Sequence, residues 1–134
     1  MSSASDASSE WSGSAYLSSM AIRVYRVEAM VDFYQEAFGI VFTEKRVGDL
    51  TAYFGVLDGI VFKLVPLAGE RDADEFPTHQ LGFEVEDVDV TCELALKYGG
   101  SILQEPIQRL DQLHAAIRDP DGNSIELYGP VPVE

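Results

Sequence analysis

The stretch Asp119-Pro-Asp-Gly-Asn-Ser-Ile-Glu-Leu-Tyr128, near the end of the 134-residue chain, joins a tight turn to a short strand. Pro120 fixes its own φ at about −65° and Gly122 tolerates a positive φ, so the first half of the stretch has the chemistry of a turn. Apolar and polar residues alternate in the second half, which predicts a strand with one polar face. Glu126 lies on that polar face, where a carboxylate can serve as a metal ligand, a general base or one half of an ion pair.

This stretch has a counterpart earlier in the chain. The segment Asp58-Gly-Ile-Val-Phe-Lys-Leu-Val65 matches Asp121 to Tyr128 at an offset of 63 residues, which makes Lys63 the counterpart of Glu126. A second match aligns residues 20–39 with residues 81–100 at an offset of 61 residues. Two copies of about 50 residues, each with a strand, a helix and three strands, predict an internally duplicated α+β domain.

The composition is typical of one acidic globular domain. The formal charge of −14 and the pI of about 4.3 oppose binding to nucleic acid or to an anionic membrane, because both are bound through Lys and Arg. A hydrophobic content of 46% is sufficient for a single core. The one cysteine, Cys92, falls on a predicted helix, where we interpret it as a small buried hydrophobe rather than a nucleophile.

Residues 1–19 form a serine-rich segment with no Lys or Arg and no apolar run. The segment lacks both parts of a secretory signal, so we expect a disordered tail on a cytoplasmic protein. The predicted domain is residues 20–129, and it is divided into a first module (20–66), a charged linker (67–78) and a second module (79–129). Residues 130–134 are expected to form a C-terminal tail.

Helix and strand signals follow the duplication. An apolar stripe that begins at Met30 and ends at Phe38 predicts the first helix, and Gly39 predicts its end. Asp87 is the predicted N-cap of the second helix. Strands are expected at 21–27, 40–46, 50–56 and 60–65 in the first copy, and near 101–105, 110–118 and 124–128 after the second helix.

Several short motifs, taken in their order along residues 20–129, resemble the vicinal oxygen chelate superfamily of glyoxalases, bleomycin resistance proteins and extradiol dioxygenases. They are Phe33-Tyr34, Phe38-Gly39, the segment 81–89, Gly99-Gly100 and the segment 119–127. The resemblance implies an α+β fold with two tandem βαβββ modules. In this fold the sheets curl into a cup and the helices cover the outer faces.

The resemblance also implies which side chains line the cup, because each strand turns alternate residues toward it. By this alternation the cup is lined by Ser19, Ala21, Arg23, Tyr53, Lys63, Gln80, Gly82, Glu84, His114, Arg118, Ser124, Glu126 and Tyr128. Glu126 and His114 are the candidate catalytic residues. The candidate ligand-binding residues are Arg23, Tyr53, Lys63, Gln80, Arg118, Ser124 and Tyr128. Solvated strand-end charges are the alternative for the two arginines. For His114, the sequence shows no second acid or base that pairs with it.

Metal-binding members of the superfamily draw ligands from four positions, which hold Ser19, Lys63, Gln80 and Glu126 in this chain. Glu126 matches a ligand, and Gln80 offers an amide oxygen. An ammonium group at Lys63 repels a dication and is expected to pair with Glu126 across the cup. The residues therefore predict no metal cofactor; if a divalent ion such as Ni, Zn, Fe or Mn is bound, Gln80 and Glu126 are its ligands.

The resemblance implies a homodimer that binds a small molecule in the cup between its modules. The first alternative is a metal-dependent lyase or dioxygenase that uses Glu126, Gln80 and His114. The second alternative is a non-catalytic dimeric scaffold whose cup is filled by side chains. The sequence leaves open whether any reaction is catalysed.

Overall fold

The computed structural model describes residues 15–67 and 80–133 of the chain. The first five elements are β1 (Ser19–Val24), α1 (Val27–Phe38), β2 (Thr43–Val47), β3 (Leu50–Leu57) and β4 (Ile60–Pro66). The next five are β5 (Leu81–Glu84), α2 (Val88–Lys97), β6 (Ser101–Arg109), β7 (Gln112–Arg118) and β8 (Ser124–Pro130). A strand, a helix and three strands thus occur twice, which confirms the α+β fold with two tandem βαβββ modules.

The strands form two four-stranded sheets with the same topology. Sheet 1 has the order β1-β4-β3-β2 and sheet 2 has the order β5-β8-β7-β6. In sheet 1, Lys63 lies between Ala21 and Phe54 on the neighbouring strands. In sheet 2, Glu126 lies in the same register between Gly82 and Ala116. Lys63 and Glu126 therefore occupy equivalent positions, as the repeat predicted.

The helix ends follow the predicted capping chemistry. Helix α1 is followed by Gly39, which adopts a left-handed φ of 72°. Helix α2 begins after Asp87, whose Oδ1 accepts a hydrogen bond from the Val90 amide at 3.0 Å. Arg26, the residue before α1, makes no such side-chain cap.

The turn of the quoted stretch is fixed by the buried carboxylate of Asp119. Its Oδ1 accepts from the amides of Asp121 (3.0 Å) and Asn123 (2.9 Å). Its Oδ2 accepts from the Asn123 side chain (2.9 Å) and from the Tyr34 hydroxyl of α1 (2.8 Å). Burial raises the pKa of Asp119, although the hydrogen bonds from Asn123 and Tyr34 act in the opposite direction.

The same turn also reaches the beginning of α1. The Asp121 carboxylate accepts from the amides of Tyr25 (2.7 Å) and Arg26 (3.1 Å). A turn of the second module therefore binds the β1–α1 junction of the first, and a negative charge lies near the positive end of the α1 dipole.

One hydrophobic core joins the two modules. Its largest fully buried side chains come from α1 and from the central strands of both sheets: Met30, Phe33, Tyr34, Phe62, Leu64, Ile117, Ile125 and Leu127. Cys92 belongs to this core, and burial raises the pKa of its thiol to about 11. The interpretation of Cys92 as a buried hydrophobe is therefore confirmed.

Several predicted boundaries differ from the structure. Strand β1 ends at Val24 rather than at residue 27, and β2 covers Thr43–Val47 rather than residues 40–46. The carbonyl of Ser18 accepts from the Val61 amide at 3.0 Å and β1 begins at Ser19, so sheet pairing starts before residue 20. Strand β6 runs to Arg109 rather than ending near residue 105, and Arg109 pairs with Gln112 of β7. The turn between these strands therefore lies at residues 110–111, and β7 begins after residue 110. Residues 1–14 of the predicted tail and 68–78 of the predicted linker lie outside the described residues.

Candidate functional site

Each sheet has one side that packs on the core and one side that does not, which we call its open face. Phe62 and Leu64 are core residues, so Lys63 between them points from the open face of sheet 1. Ile125 and Leu127 are core residues as well, and Glu126 between them points from the open face of sheet 2. Residues paired in register with Lys63 or Glu126 share these faces.

The open face of sheet 2 holds the candidate catalytic residues together. The Tyr128 hydroxyl donates to Glu126 Oε2 at 2.5 Å, and this hydrogen bond raises the pKa of Tyr128. His114 pairs in register with Tyr128, and the edge of one ring meets the other at 4.8 Å between centroids. A carboxylate, a phenol and an imidazole are therefore adjacent on one surface, where they offer hydrogen-bond donors, an acceptor and a base.

Three further predicted residues lie on the same face. Gln80 donates from Nε2 to Ser124 Oγ at 3.1 Å, and Arg118 pairs in register with Ser124. A cavity of about 320 Å³ on this face is lined by Gln80, Leu103, Gln104, Arg109, His114, Ala115, Ala116 and Glu126. Sheet 2 thus brings Gln80, His114, Arg118, Ser124, Glu126 and Tyr128 onto one surface.

The open face of sheet 1 is aromatic and basic. The Nζ atoms of Lys45 and Lys63 lie 5.2 Å and 5.4 Å from the centroid of the Phe54 ring. Arg23 is exposed on the same face, two residues from the partner of Lys63 along β1. A cavity of about 600 Å³ is lined by Gly39, Val41, Thr43, Glu44, Lys45, Phe54, Gly55, Val56 and Val61.

Tyr53 lies on the opposite side of sheet 1, so the prediction that it lines the ligand side is wrong. Tyr53 pairs in register with the core residue Leu64, and its hydroxyl donates to Glu44 Oε1 at 3.3 Å. Gly55 is also on this side, where a Cβ would come within 2.6 Å of Ile40 Cγ2. The close packing of Gly55 under Ile40 fixes which residues of β3 face the core.

Phe54 and Lys45 are the residues that the sequence interpretation missed. Successive residues of a strand point to opposite faces, so assigning Tyr53 to the ligand side placed Phe54 on the core side, and Phe54 was missed. The small Gly55 in the middle of a strand was a usable signal, since a glycine there often marks a close approach of another segment. The sequence carries no comparable signal for Lys45. It lies on β2, which has a neighbouring strand on one side only, so fewer contacts indicate which way its side chain points.

Lys63 and Glu126 do not pair within the described part of the chain. The side chain of Lys63 contacts the Phe54 ring, Glu126 accepts from Tyr128, and neither forms an ion pair there. The prediction that these two residues pair across the cup of a single chain is therefore wrong. Their equivalent positions in two separate sheets do not bring them into contact.

The donor set does not fit the divalent metal that the superfamily uses. The four corresponding positions supply a hydroxyl (Ser19), an ammonium (Lys63), an amide (Gln80) and a carboxylate (Glu126). Within residues 15–67 and 80–133, no three His, Cys, Asp or Glu side chains are grouped so that they could hold a metal ion.

The chain belongs to the Glyoxalase/Bleomycin resistance protein/Dioxygenase superfamily, whose sequence profile matches residues 16–127. This match agrees with the duplicated βαβββ topology. A search of curated proteins found no match to the chain. In the described part of the chain, no helix is long and apolar enough to span a membrane.

Solved structures of the same fold include enzymes of this superfamily. A glyoxalase/bleomycin resistance protein/dioxygenase family enzyme from Burkholderia phytofirmans PsJN is 20% identical, with a TM-score of 0.65 over 87% of this chain and 100% of that one. A glyoxalase I mutant from Zea mays is 26% identical, with a TM-score of 0.66 over 84% of this chain and 45% of that one. A hypothetical protein from S. aureus is 16% identical, with a TM-score of 0.66 over 87% of this chain and 97% of that one.

Proposed function

We propose that this protein is a cytoplasmic homodimer that binds a small molecule on the open faces of its two sheets and needs no metal to do so. The observation that carries the proposal is the position of Lys63, which occupies in sheet 1 the place that Glu126 occupies in sheet 2. An ammonium group at this place repels a dication and attracts a polar or anionic ligand group.

Ligand binding is supported by the cavities on the open faces. Their volumes are about 600 Å³ on sheet 1 and about 320 Å³ on sheet 2, which is the size range of small-molecule sites. The cavity on sheet 1 combines apolar walls with a few polar side chains, which is typical of sites that orient a ligand, whereas the cavity on sheet 2 is lined mainly by polar side chains. The cavities favour a binder over a scaffold whose cup is filled.

Dimerisation is supported by apolar side chains that one chain leaves in solvent. On the open face of sheet 1, Val56 is 68% exposed, and Val41 at the edge of the same cavity is 77% exposed. On the open face of sheet 2, Ile107 is 40% exposed. A second copy that covers these side chains would remove apolar area from water and close the cavities.

A metal-dependent lyase or dioxygenase is the second candidate. The observation that favours it is the cluster of Glu126, Tyr128 and His114, which combines a possible ligand, a phenol and a base on one surface. In that case Gln80 and Glu126 would hold the Ni, Zn, Fe or Mn ion from sheet 2.

Calorimetric titration with Ni²⁺ and Mn²⁺ tests the choice between the two candidates. We expect no stoichiometric binding by the parent protein, and measurable binding by Lys63→Glu, which adds a carboxylate at the equivalent position. Lys97→Glu adds the same charge at the end of α2 and is the matched control. Binding by the parent as tight as by Lys63→Glu would overturn the metal-free proposal.

Two further measurements test the binding function itself. Light scattering of the purified protein should give the mass of a dimer, and a thermal-shift screen of a small-molecule library should return ligands that raise the melting temperature. A monomer that no library member stabilises would contradict the proposal.

A further inference from the structure

The positive charges of this acidic protein are concentrated on sheet 1. The chain has a formal charge of −14 and only nine Lys and Arg residues. Four of these nine, Arg23, Lys45, Arg46 and Lys63, lie in the strands of sheet 1, whose one acidic residue is Glu44. A region that is basic against such a background has an electrostatic potential of its own, which attracts anions locally.

The register divides these charges between the two sides of the sheet. Lys63 and Arg23 lie on the open face, and Lys45 shares that face because it pairs with Ala52, two residues before Phe54. Glu44 lies on the other side of the sheet, where it pairs in register with Tyr53 and accepts a hydrogen bond from the Tyr53 hydroxyl. The strand side chains that point from this open face therefore include three cations, and Glu44 is the one acidic residue among those that line the cavity beside them.

The two lysines flank one aromatic ring. Lys63 approaches Phe54 from β4 and Lys45 approaches it from β2, with both Nζ atoms within 5.4 Å of the ring centroid. In the described part of the chain neither lysine forms an ion pair. The apolar wall beside them is formed by Val56 and Val61. Two ammonium groups without a carboxylate partner thus border an apolar surface.

The open face of sheet 2 does not neutralise this charge. The residues of that face include two acids, Glu84 and Glu126, and two arginines, Arg109 and Arg118. If the two faces meet in one cup, its lining is still net positive, because Arg23, Lys45 and Lys63 are added to a balanced set.

We propose that the open face of sheet 1 binds a small ligand with a carboxylate or phosphate group, which Lys45 and Lys63 hold while its apolar part packs on Phe54, Val56 and Val61. This inference rests on the proposed function and adds the chemical class of the ligand. An oxyanion beside an ammonium gains a charge-assisted hydrogen bond, and an aromatic or aliphatic group beside the Phe54 ring gains buried area.

Four probes that share a phenyl ring test the proposal: phenylacetate, phenyl phosphate, neutral phenylacetamide and phenethylammonium. Each is titrated into the isotope-labelled protein, and the amide chemical shifts report where and how tightly it binds. We expect the two anions to bind with shifts in β2, β3 and β4, and the neutral and cationic probes to bind at least about tenfold more weakly. The anion that binds more tightly shows whether the site prefers a carboxylate or a phosphate.

Substitutions of single lysines test which ammonium groups contribute to binding of the anion. Lys45→Gln and Lys63→Gln should each raise the Kd of the preferred anion by about threefold to tenfold, since both ammonium groups are accessible to solvent. Lys63→Arg keeps the charge and should keep most of the affinity. Lys97→Gln is the matched control, because the Nζ atom of Lys97, the last residue of α2, lies 5.6 Å from the centroid of the Tyr98 ring in the same kind of cation–ring contact.

Three outcomes would overturn the proposal: neither anion binds at millimolar concentration, phenethylammonium binds as tightly as phenylacetate, or Lys97→Gln weakens binding as much as Lys63→Gln. Its failure is distinct from the failure of the proposed function. A neutral or cationic library ligand that shifts residues of the open faces would leave a small-molecule binder with a different ligand class. If no ligand of any charge binds, both this proposal and the proposed function are rejected.

Discussion

Lys63 and Glu126 occupy equivalent positions in two sheets of identical topology, but their surroundings have little in common. Lys63 borders Phe54 and, with Lys45, forms a basic aromatic surface beside a cavity of about 600 Å³. Glu126 is hydrogen-bonded to Tyr128 and lies near His114 on a polar surface. The duplication has preserved the register of the strands, which the core requires, and not the side chains of the open faces, which the core does not constrain.

The turns before the two equivalent strands differ in a similar way. Asp58 and Gly59 both have positive φ, 52° and 81°, and join β3 to β4 in a short hairpin. Asp119 instead accepts four hydrogen bonds, one of them from Tyr34 of the first module. The second turn therefore acts as a hydrogen-bonded contact between modules as well as a chain reversal.

The largest expected effect follows from this difference between the turns. Asp119→Ala removes the acceptor of four hydrogen bonds and leaves the buried polar groups of Tyr34 and Asn123 unsatisfied, so we expect the free energy of unfolding to fall by about 3 kcal/mol. Asp58→Ala places alanine at a positive φ and should cost only about 1 kcal/mol. Urea denaturation of both variants measures the two losses. Equal losses would show that the second turn makes no special contribution.

A smaller effect, dependent on pH, is expected for Tyr34→Phe. The Tyr34 hydroxyl lowers the pKa of Asp119, which burial raises, so its removal raises that pKa further. A carboxyl whose pKa is higher in the folded state loses stabilisation as the pH rises through that value. Tyr34→Phe should therefore cost about 1.5 kcal/mol at neutral pH and less below the ordinary carboxyl pKa, as measured by urea denaturation at several pH values. Tyr53→Phe is the control, and a loss of stability independent of pH would contradict the account.

Truncation of Lys63 should change stability little. Its contact in one chain is the Phe54 ring, and a cation–ring contact at a solvent-accessible site contributes about 0.5–1 kcal/mol. Lys63→Ala and Lys97→Ala should therefore lower the free energy of unfolding by similar small amounts. A loss above about 2 kcal/mol for Lys63→Ala alone would mean that Lys63 has a counter-charge, such as a partner chain supplies, that one chain lacks.

The smallest expected effect concerns the proton on Tyr128. The hydrogen bond to Glu126 is the first cause of the raised pKa of Tyr128, so Glu126→Gln should lower that pKa toward its ordinary value. Burial is the first cause for Tyr53, so Glu44→Gln should lower the pKa of Tyr53 less. Spectroscopic titration of the tyrosines in the two variants compares the decrease in the pKa of Tyr128 with the decrease in the pKa of Tyr53. An unchanged titration of Tyr128 in Glu126→Gln would show that the two side chains do not interact in solution.

Much of the fold was predictable because its signals are local. The offset repeats located the two modules, Gly39 and Asp87 marked helix ends, and apolar alternation placed Glu126 and Lys63 on equivalent strands. Each signal depends on a few neighbouring residues whose backbone preference or period is set by covalent structure. The polar cluster of sheet 2 was predictable for the same reason, since its members alternate regularly along β7 and β8.

The sequence by itself thus determined the duplication, the superfamily, the strand and helix order, and the charge and type of the residues at equivalent positions. Only the tertiary structure decided the face of Tyr53 and Phe54, because an alternating pattern can be assigned one residue out of step until a contact such as Gly55 against Ile40 fixes it. It also decided that Tyr34 binds Asp119 and that Lys63 meets Phe54 rather than Glu126. These contacts join residues far apart in the chain, and their existence depends on how the sheets and helices pack, which no local pattern encodes.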